Sequence, residues 1–408
     1  MFGTCILATC TTNADCPAEV PDCNEAGQCV ECLDSSECGD QICNASSQCA
    51  ACVDDAECQD GGFCIEGHCR TSIVPLLADV CDAEATGDLE LTSFNTTTEA
   101  TNCTQILAQD NGPDICVVRA STVQVAAGST VSITGERALA VVADGDLIIE
   151  GTLDVSANVI RSGPGGGGIE SGGVATATTG GGGAGFAGGG GSGGSTSIGG
   201  AANSGEAQSN PLAPLRGGAR AGGEFGGGGG GALLVISCRG AIRISGLVDA
   251  GGGGGRGGAG NQTSIVVGGF GGGAGGTVVL QGVSIEVTGE VFANGGGGGG
   301  GAAFNSGAAT TRGKNGENGA RSTAVPAAGG ELDPGVVGGG SGAIGGMSAR
   351  DGAAVSPPDP PLIPGFGPSG GGGATGFLLT FTPIGRTPDL ANATTSPSFG
   401  ANLVVETK

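Results

Sequence analysis

Three stretches of the chain carry the same order of apolar and polar positions. They read ADGDLIIEGTLDVSAN from Ala143 to Asn158, SCRGAIRISGLVDAGGGG from Ser237 to Gly254, and LQGVSIEVTGEVFANGGGG from Leu280 to Gly298. Each has a glycine, a short alternating apolar run, a second glycine, another apolar pair, then a small residue and open glycine. The paired glycines are six, six and seven residues apart (Gly145 and Gly151, Gly240 and Gly246, Gly282 and Gly289). Alternation at period two marks a strand with one buried face. Leu147, Ile149, Leu153 and Val155 are expected to point inward. Ile242 and Ile244 flank an outward Arg243, and Ile285 and Val287 flank an outward Glu286. The same period runs upstream through Val123, Val125, Val131 and Ile133, with Gly128 at a turn.

Strand units of this kind cannot cover their own apolar faces, so they stack on one another. Short strands with glycine corners fit a parallel β-helix. The copies lie unevenly apart, which predicts glycine-rich excursions inserted between coils. GFLLTFTP (Gly376 to Pro383) and NLVVET (Asn402 to Thr407) are candidates to complete the stack. The expected fold class is all-β: small disulfide-rich modules, then a right-handed parallel β-helix-like solenoid with polyglycine-rich insertions. A β-sandwich is the alternative. The expected domains are a cysteine-rich repeat region over 1–70, an acidic connector over 71–115 and the glycine-rich solenoid over 116–408.

The excursions hold most of the 92 glycines, chiefly in Gly163 to Gly200, Gly222 to Gly231, Gly251 to Gly276 and Gly295 to Gly319. Two states compete for them. One is a set of flexible linkers. The other is ordered, extended three-residue helices, the glycine relative of polyproline II, packed closely because no Cβ intervenes. Ordering glycine costs the most backbone entropy. The low charge of the tracts and the recurrence of Phe186, Phe225 and Phe270 within them favour order. With no Trp or Tyr and only 12 Phe, stability must come from small aliphatic side chains, backbone hydrogen bonds and cross-links.

The cross-links are legible in the front of the chain. Cys10, Cys16, Cys23 and Cys29 form one set. Cys32, Cys38, Cys43 and Cys49 form a second, and Cys52, Cys58, Cys64 and Cys69 a third. An acid precedes the second cysteine of each set (Asp15, Glu37, Glu57). Units of about 20 residues are too short to bury a useful core, and two disulfides per unit offset this. Four cysteines allow three pairings, and spacing does not choose among them. Cys81 and Cys103 are candidates to bridge the connector, with Cys116 at the entry to the next domain. Seventeen cysteines leave one over. It is either Cys5, as the lipid anchor of a mature lipoprotein, or Cys238, as a small buried hydrophobe. Such cysteine usage indicates an oxidising compartment. Met1 to Cys5 has no basic start and no apolar run, so a leader is expected upstream or already removed.

Charge narrows the partners. Residues 1 to 118 hold 21 acids against one base, Arg70, and the remainder is near neutral. This argues against nucleic acid and anionic membranes. No apolar run is long enough for a membrane span. Expected partners are cell-surface or matrix components, among them polysaccharide or further copies of the chain.

Chemistry is sparse. His68 is the one histidine, in the cross-linked front. Cys29-x2-Cys32 and Cys49-x2-Cys52 have zinc-ribbon spacing, yet they are seams between units and leave the other cysteines unexplained. Asp54, Asp55, Glu57 and Asp60 cluster without EF-hand spacing. G-x-G-x-x-G patterns arise here from composition alone, and no phosphate loop or calcium-binding nonapeptide is present. Asp144, Asp146, Glu150 and Asp154 lie in one strand region and are expected on one outward side. A polysaccharide-cleaving pair would come from there. A solvated ladder end is the simpler account. No catalytic residue, metal ligand or cofactor is assigned. Two sequons, at Asn95 and Asn102, matter only in a eukaryotic secretory route. Ala175 to Thr179 is the nearest approach to an ice-binding threonine array.

CTTNADCPAEVPDCNEAGQC, CLDSSECGDQICNASSQC and CVDDAECQDGGFCIEGHC resemble the Dickkopf-like cysteine-rich modules of secreted myxobacterial proteins. VQVAAGSTVSITGERALAVVADGDLIIEGTLDVSAN and the two later copies are similar to the glycine-rich half of the same group. The resemblance spans nearly the whole chain. It implies an exported, often lipid-anchored surface protein with no known activity, and it transfers no catalytic or binding residue. A structural or adhesive role follows as the leading expectation, with a polysaccharide-binding module and a polysaccharide lyase or hydrolase behind it.

Overall fold

The computed structural model describes residues 9–59, 62–82, 85–196, 199–208, 210–260, 265–302, 312–331, 349–352 and 367–408. The candidate lipid anchor, Cys5, and Asp60 lie outside the described residues. The chain forms two units, one of residues 1–83, 382–386 and 404–408, the other of 84–381 and 387–403.

The first unit carries three two-stranded antiparallel hairpins. They pair Asp22–Cys23 with Cys29–Val30, Ile42–Cys43 with Cys49–Ala50, and Phe63–Ile65 with His68–Arg70. A 3-10 turn precedes each, at Asn13–Asp15, Ser35–Cys38 and Asp55–Glu57. Within every set the first cysteine bonds the third and the second bonds the fourth: Cys10 to Cys23 and Cys16 to Cys29, Cys32 to Cys43 and Cys38 to Cys49, Cys52 to Cys64 and Cys58 to Cys69. The acid before each second cysteine serves the turn. Asp15 accepts the Thr11 and Thr12 amides at 2.9 Å, Glu37 the Leu33 amide at 2.5 Å, and Glu57 the Val53 amide at 2.6 Å. These bonds satisfy donors that a helical turn leaves orphaned at its start.

The second unit is a stack of coils whose strands fall on three faces. The first face pairs Ile115–Ala120, Ala138–Ala143, Ala232–Ser237, Thr277–Gln281 and Phe377–Pro383 in parallel. The second pairs Thr122–Val125, Leu147–Ile149, Ala241–Ile244 and Ser284–Val287. The third pairs Thr130–Thr134, Thr152–Asp154, Leu247–Asp249, Glu290–Phe292 and Thr394–Ser396. The three copies seen in the sequence are therefore successive coils of a β-helix solenoid. A sandwich is set aside, because its sheets are built from antiparallel hairpins and Greek keys. The NLVVET tail contains a short strand, Leu403–Val405.

Register explains the core. Val123, Leu147, Ile242 and Ile285 form one inward column, and Val131, Leu153, Val248 and Val291 another. All are buried in one continuous cluster. Each such side chain contributes roughly 1.5–3 kcal/mol by leaving water, so regular aliphatic columns take the place of aromatics. Arg243 and Glu286 point outward, as their alternation implies. Glycines stack at the corners: an added Cβ on Gly246 would lie 2.0 Å from the Gly151 carbonyl oxygen, and one on Gly289 2.1 Å from that of Gly246.

The connector contributes to this stack. Asp88–Glu90 pairs in parallel with Thr122–Gln124, and Phe94–Asn95 with Ile133–Thr134. Leu91 and Phe94 join the core. Gln105–Leu107 pairs antiparallel with Ile115–Val117, which covers the starting edge of the first face. Cys103 bonds Cys116, not Cys81. Cys81 is itself disulfide-bonded, and so is Cys238. The reading of Cys238 as an unpaired hydrophobe is thus corrected. Its aliphatic surroundings concealed a cross-link whose partner is remote in sequence. Every cysteine among the described residues is in a disulfide.

Candidate functional site

The glycine tracts leave the solenoid at one corner, between the third face of one coil and the first face of the next. They continue the strands without a break. Val155, Ala250 and Ala293 donate to Asp249, Phe292 and Ser396, extending the third-face pairing by one residue. Gly231, Gly276 and Gly376 donate to Val155, Ala250 and Ala293 as the chain returns to the first face. A core strand thus becomes a bundle strand merely by losing its side chains.

Beyond that corner the backbone bonds with a period of three. The amides of Gly252, Gly255 and Gly258 each donate at 2.8 Å to Asn294, Gly297 and Gly300. Those of Gly253 and Arg256 donate to Gly228 and Phe225, at 2.7 and 3.2 Å. The Gly252, Gly255 and Gly258 carbonyls accept from Gly319, Gly316 and Gly313. The Gly253 and Arg256 carbonyls accept from Gly273 and Phe270, each at 2.8 Å. One strand is hydrogen-bonded to four others around it, as a helix of three residues per turn permits and a pleated strand does not. The remaining amides, of Gly254 and Gly257, donate to the side-chain oxygens of Asn318 and Asn315 at 3.1 and 3.0 Å. Over their described residues the tracts form an ordered lattice.

Space, not backbone conformation, demands glycine here. Gly253, Gly273 and Gly296 lie outside the left-handed region. An added Cβ on them would meet carbonyl oxygens at 2.0, 2.0 and 2.1 Å. Aromatics fill gaps in the lattice. Phe186 packs edge-on to Phe377 with ring centroids 5.1 Å apart, and Phe225 to Phe270 at 5.5 Å, with the Arg256 guanidinium 4.4 Å from the Phe225 ring centre.

The four acids considered for catalysis are held separately. Asp144 is buried against Arg119 at 2.6 Å and accepts the Ala85 amide. Asp146 pairs with Arg243 at 2.6 Å and accepts the Ala241 amide at 2.9 Å. Burial alone would raise the Asp146 pKa, but these hydrogen bonds and the Arg243 charge lower it. Glu150 accepts from Gln124 at 3.2 Å. Asp154 accepts from the Ser156 amide and hydroxyl at 2.9 and 2.6 Å. They are not gathered into one site: Asp144 is buried beside Arg119, while Val118, Ala120 and Ala143 next to them face the core, and the other three acids are held by different partners. One perturbed carboxyl is not flagged by the strand pattern. Asp249 is buried, which raises its pKa, and Arg321 bonds it at 2.6 Å while reaching Asp154 at 3.4 Å.

The other candidates are accounted for locally. Asp54 caps the Ala56 amide, Asp55 accepts the Cys64 amide and pairs with Arg386, and Glu57 closes its own turn. Grouped sulfurs such as Cys10, Cys16 and Cys23 belong to adjacent bridges, and a bridged sulfur offers no thiolate. His68 lies 3.0 Å from Asp40. Asn95 uses its side chain to accept the Thr97 and Thr98 amides. Thr176, Thr178 and Thr179 bond to one another in a turn, which is no flat array.

The outer surface of the solenoid offers one feature in repeat. A shallow groove of about 510 Å³ follows the corner between the second and third faces. Thr130, Glu150, Thr152, Ser245, Thr288 and Glu290 line it coil after coil.

No protein-family model matches the chain, and neither a curated protein nor a solved structure is similar to it. Among the described residues no helix is long and apolar enough to cross a membrane.

Proposed function

We propose that this chain is a non-enzymatic, exported protein of the cell surface or extracellular matrix, structural or adhesive in role. The glycine lattice is the observation that carries the reading. Ordering so much glycine is costly, and the result is a rigid, side-chain-poor body projecting from one corner of a solenoid. The disulfides suit an oxidising location. The acids nearest to a catalytic arrangement are engaged by arginines and backbone amides, which favours architecture over turnover. The resemblance to secreted, often lipid-anchored myxobacterial proteins supports the same placement, with Cys5 as the candidate anchor. Labelling intact producing cells with a membrane-impermeant biotin reagent tests it. The chain should be recovered in the labelled fraction, and its deletion should reduce cell cohesion. Recovery only from lysed cells with free thiols would refute the proposal.

A second reading is a polysaccharide-binding module, favoured by the hydroxyl- and carboxylate-lined groove. A glycan panel separates the two. In this reading a neutral polymer binds, and Thr152→Val with Thr288→Val weakens it.

A further inference from the structure

We propose that a cleft at the root of the first glycine tract binds the carboxylates of an acidic polysaccharide. The cleft has a volume of about 830 Å³ and lies wholly within the solenoid unit, lined by Arg161, Arg216, Asn111, Glu136 and the backbone of Gly165 to Gly168. This names a partner for the adhesive role, and it rests on that reading only for its biological sense.

The arginines carry the inference. Elsewhere in this acidic chain most arginines are engaged. Arg119, Arg243, Arg321 and Arg386 hold carboxylates, and Arg256 covers an aromatic ring. Arg161 and Arg216 have no ion pair among the described residues, although acids outnumber bases 39 to 15. The Arg216 Nε is buried without a hydrogen-bond partner. The Nε atoms of Arg70, Arg137 and Arg220 are buried in the same way, but their guanidiniums also meet Asp40, the Thr96 carbonyl and the Glu224 carbonyl, whereas that of Arg216 has no such second partner among the described residues.

Both side chains spring from fixed backbone. Asn158 accepts the Ile160 and Arg161 amides at 3.1 and 3.0 Å, and its own amide donates to the Arg161 carbonyl at 2.9 Å. The Gln109 side chain grips Leu215 from both sides, donating to its carbonyl at 2.9 Å and accepting its amide at 2.8 Å. The Arg216 amide donates to Pro211 at 3.1 Å, and the Gly217 amide to Gly165 at 3.0 Å. Two guanidinium forks carried on anchored backbone suit bidentate recognition of carboxylates. Glu136 shares the rim, so the lining charge is one positive overall, too little for a polyphosphate. The volume exceeds that of one small anion. The Asn111 amide and the glycine backbone of the wall suit a polyhydroxylated chain passing through.

The test is calorimetric titration of the full, oxidised chain with a galacturonate hexamer, a neutral maltohexaose and inorganic phosphate. The acidic hexamer should bind and the neutral one should not. Arg161→Gln and Arg216→Gln should each weaken binding about tenfold or more, with the thermal midpoint of the free protein unchanged. Three results overturn the proposal: no heat with the acidic hexamer, equal binding by the double variant, or displacement of the hexamer by stoichiometric phosphate. Surface labelling of cells reads the adhesive role independently, so either idea can fail while the other stands.

Discussion

At the scale of single residues, glycines with the same name have opposite roles. At Gly273 a methyl group would sit 2.0 Å from the Gly228 carbonyl oxygen, whereas at Gly168 it would meet nothing within 4 Å. Gly273→Ala should therefore cost on the order of 3 kcal/mol by overpacking against backbone that cannot yield. Gly168→Ala should be neutral or stabilising by about 0.4–1 kcal/mol, because it restricts the unfolded chain. Urea unfolding midpoints would show the contrast, and equal midpoints would contradict the lattice. Two carboxyls differ in the same way. The Asp146 pKa is lowered from 3.8, so its stabilisation is complete above that value and lost as pH falls through the lower, folded value. The Asp249 pKa is raised by burial, so its contribution is greatest below 3.8 and is lost as pH rises through the higher, folded value. Compared with the parent, Asp249→Asn should gain thermal stability as pH rises from about 3 to 7, and Asp146→Asn should lose it. Parallel profiles for the two variants would be inconsistent with these environments.

At the scale of elements, the solenoid strands were legible because burial writes a period of two. The columns Leu147–Ile242–Ile285 and Ile149–Ile244–Val287 could be read from three aligned copies. The strands of the connector were hidden by brevity: Phe94–Asn95 has too few residues to show a period, and only stacking on Ile133 makes it a strand. Disulfide pairing was illegible for a different reason, since spacing admits several pairings and the crossed hairpin turn selects one. Losing the Cys38–Cys49 bridge, which closes a separation of 11 residues, should cost about 3 kcal/mol and expose that hairpin to protease. Order in the glycine tracts left only a faint mark in the sequence, the low charge and the recurring Phe186, Phe225 and Phe270, because the glycine itself is shared with flexible linkers. Hydrogen exchange distinguishes them. Amides of 180–194 and 269–276 should be protected, and complete exchange at the earliest time would sink the lattice.

At the scale of the whole molecule, two kinds of cohesion operate. The first unit relies on covalent bridges, and the second on aliphatic columns and backbone bonds. A reducing agent without denaturant should make residues 10–69 protease-sensitive while the far-UV β signal of the solenoid persists; simultaneous loss of both would contradict this division. The cleft shows what only the fold can supply. Arg161 and Arg216 are far apart in the chain, in segments of unremarkable composition, and meet because a glycine excursion leaves and re-enters the stack at one corner. The period of three along the tracts also restricts how they can change in length. Adding or removing three residues returns every downstream amide to its former partner strand. A change of one or two rotates the whole tract by a fraction of a turn, so that each donor faces the wrong neighbour. Gene-length variation in these tracts should therefore come in units of nine nucleotides, a grammar of spelling that composition alone never required.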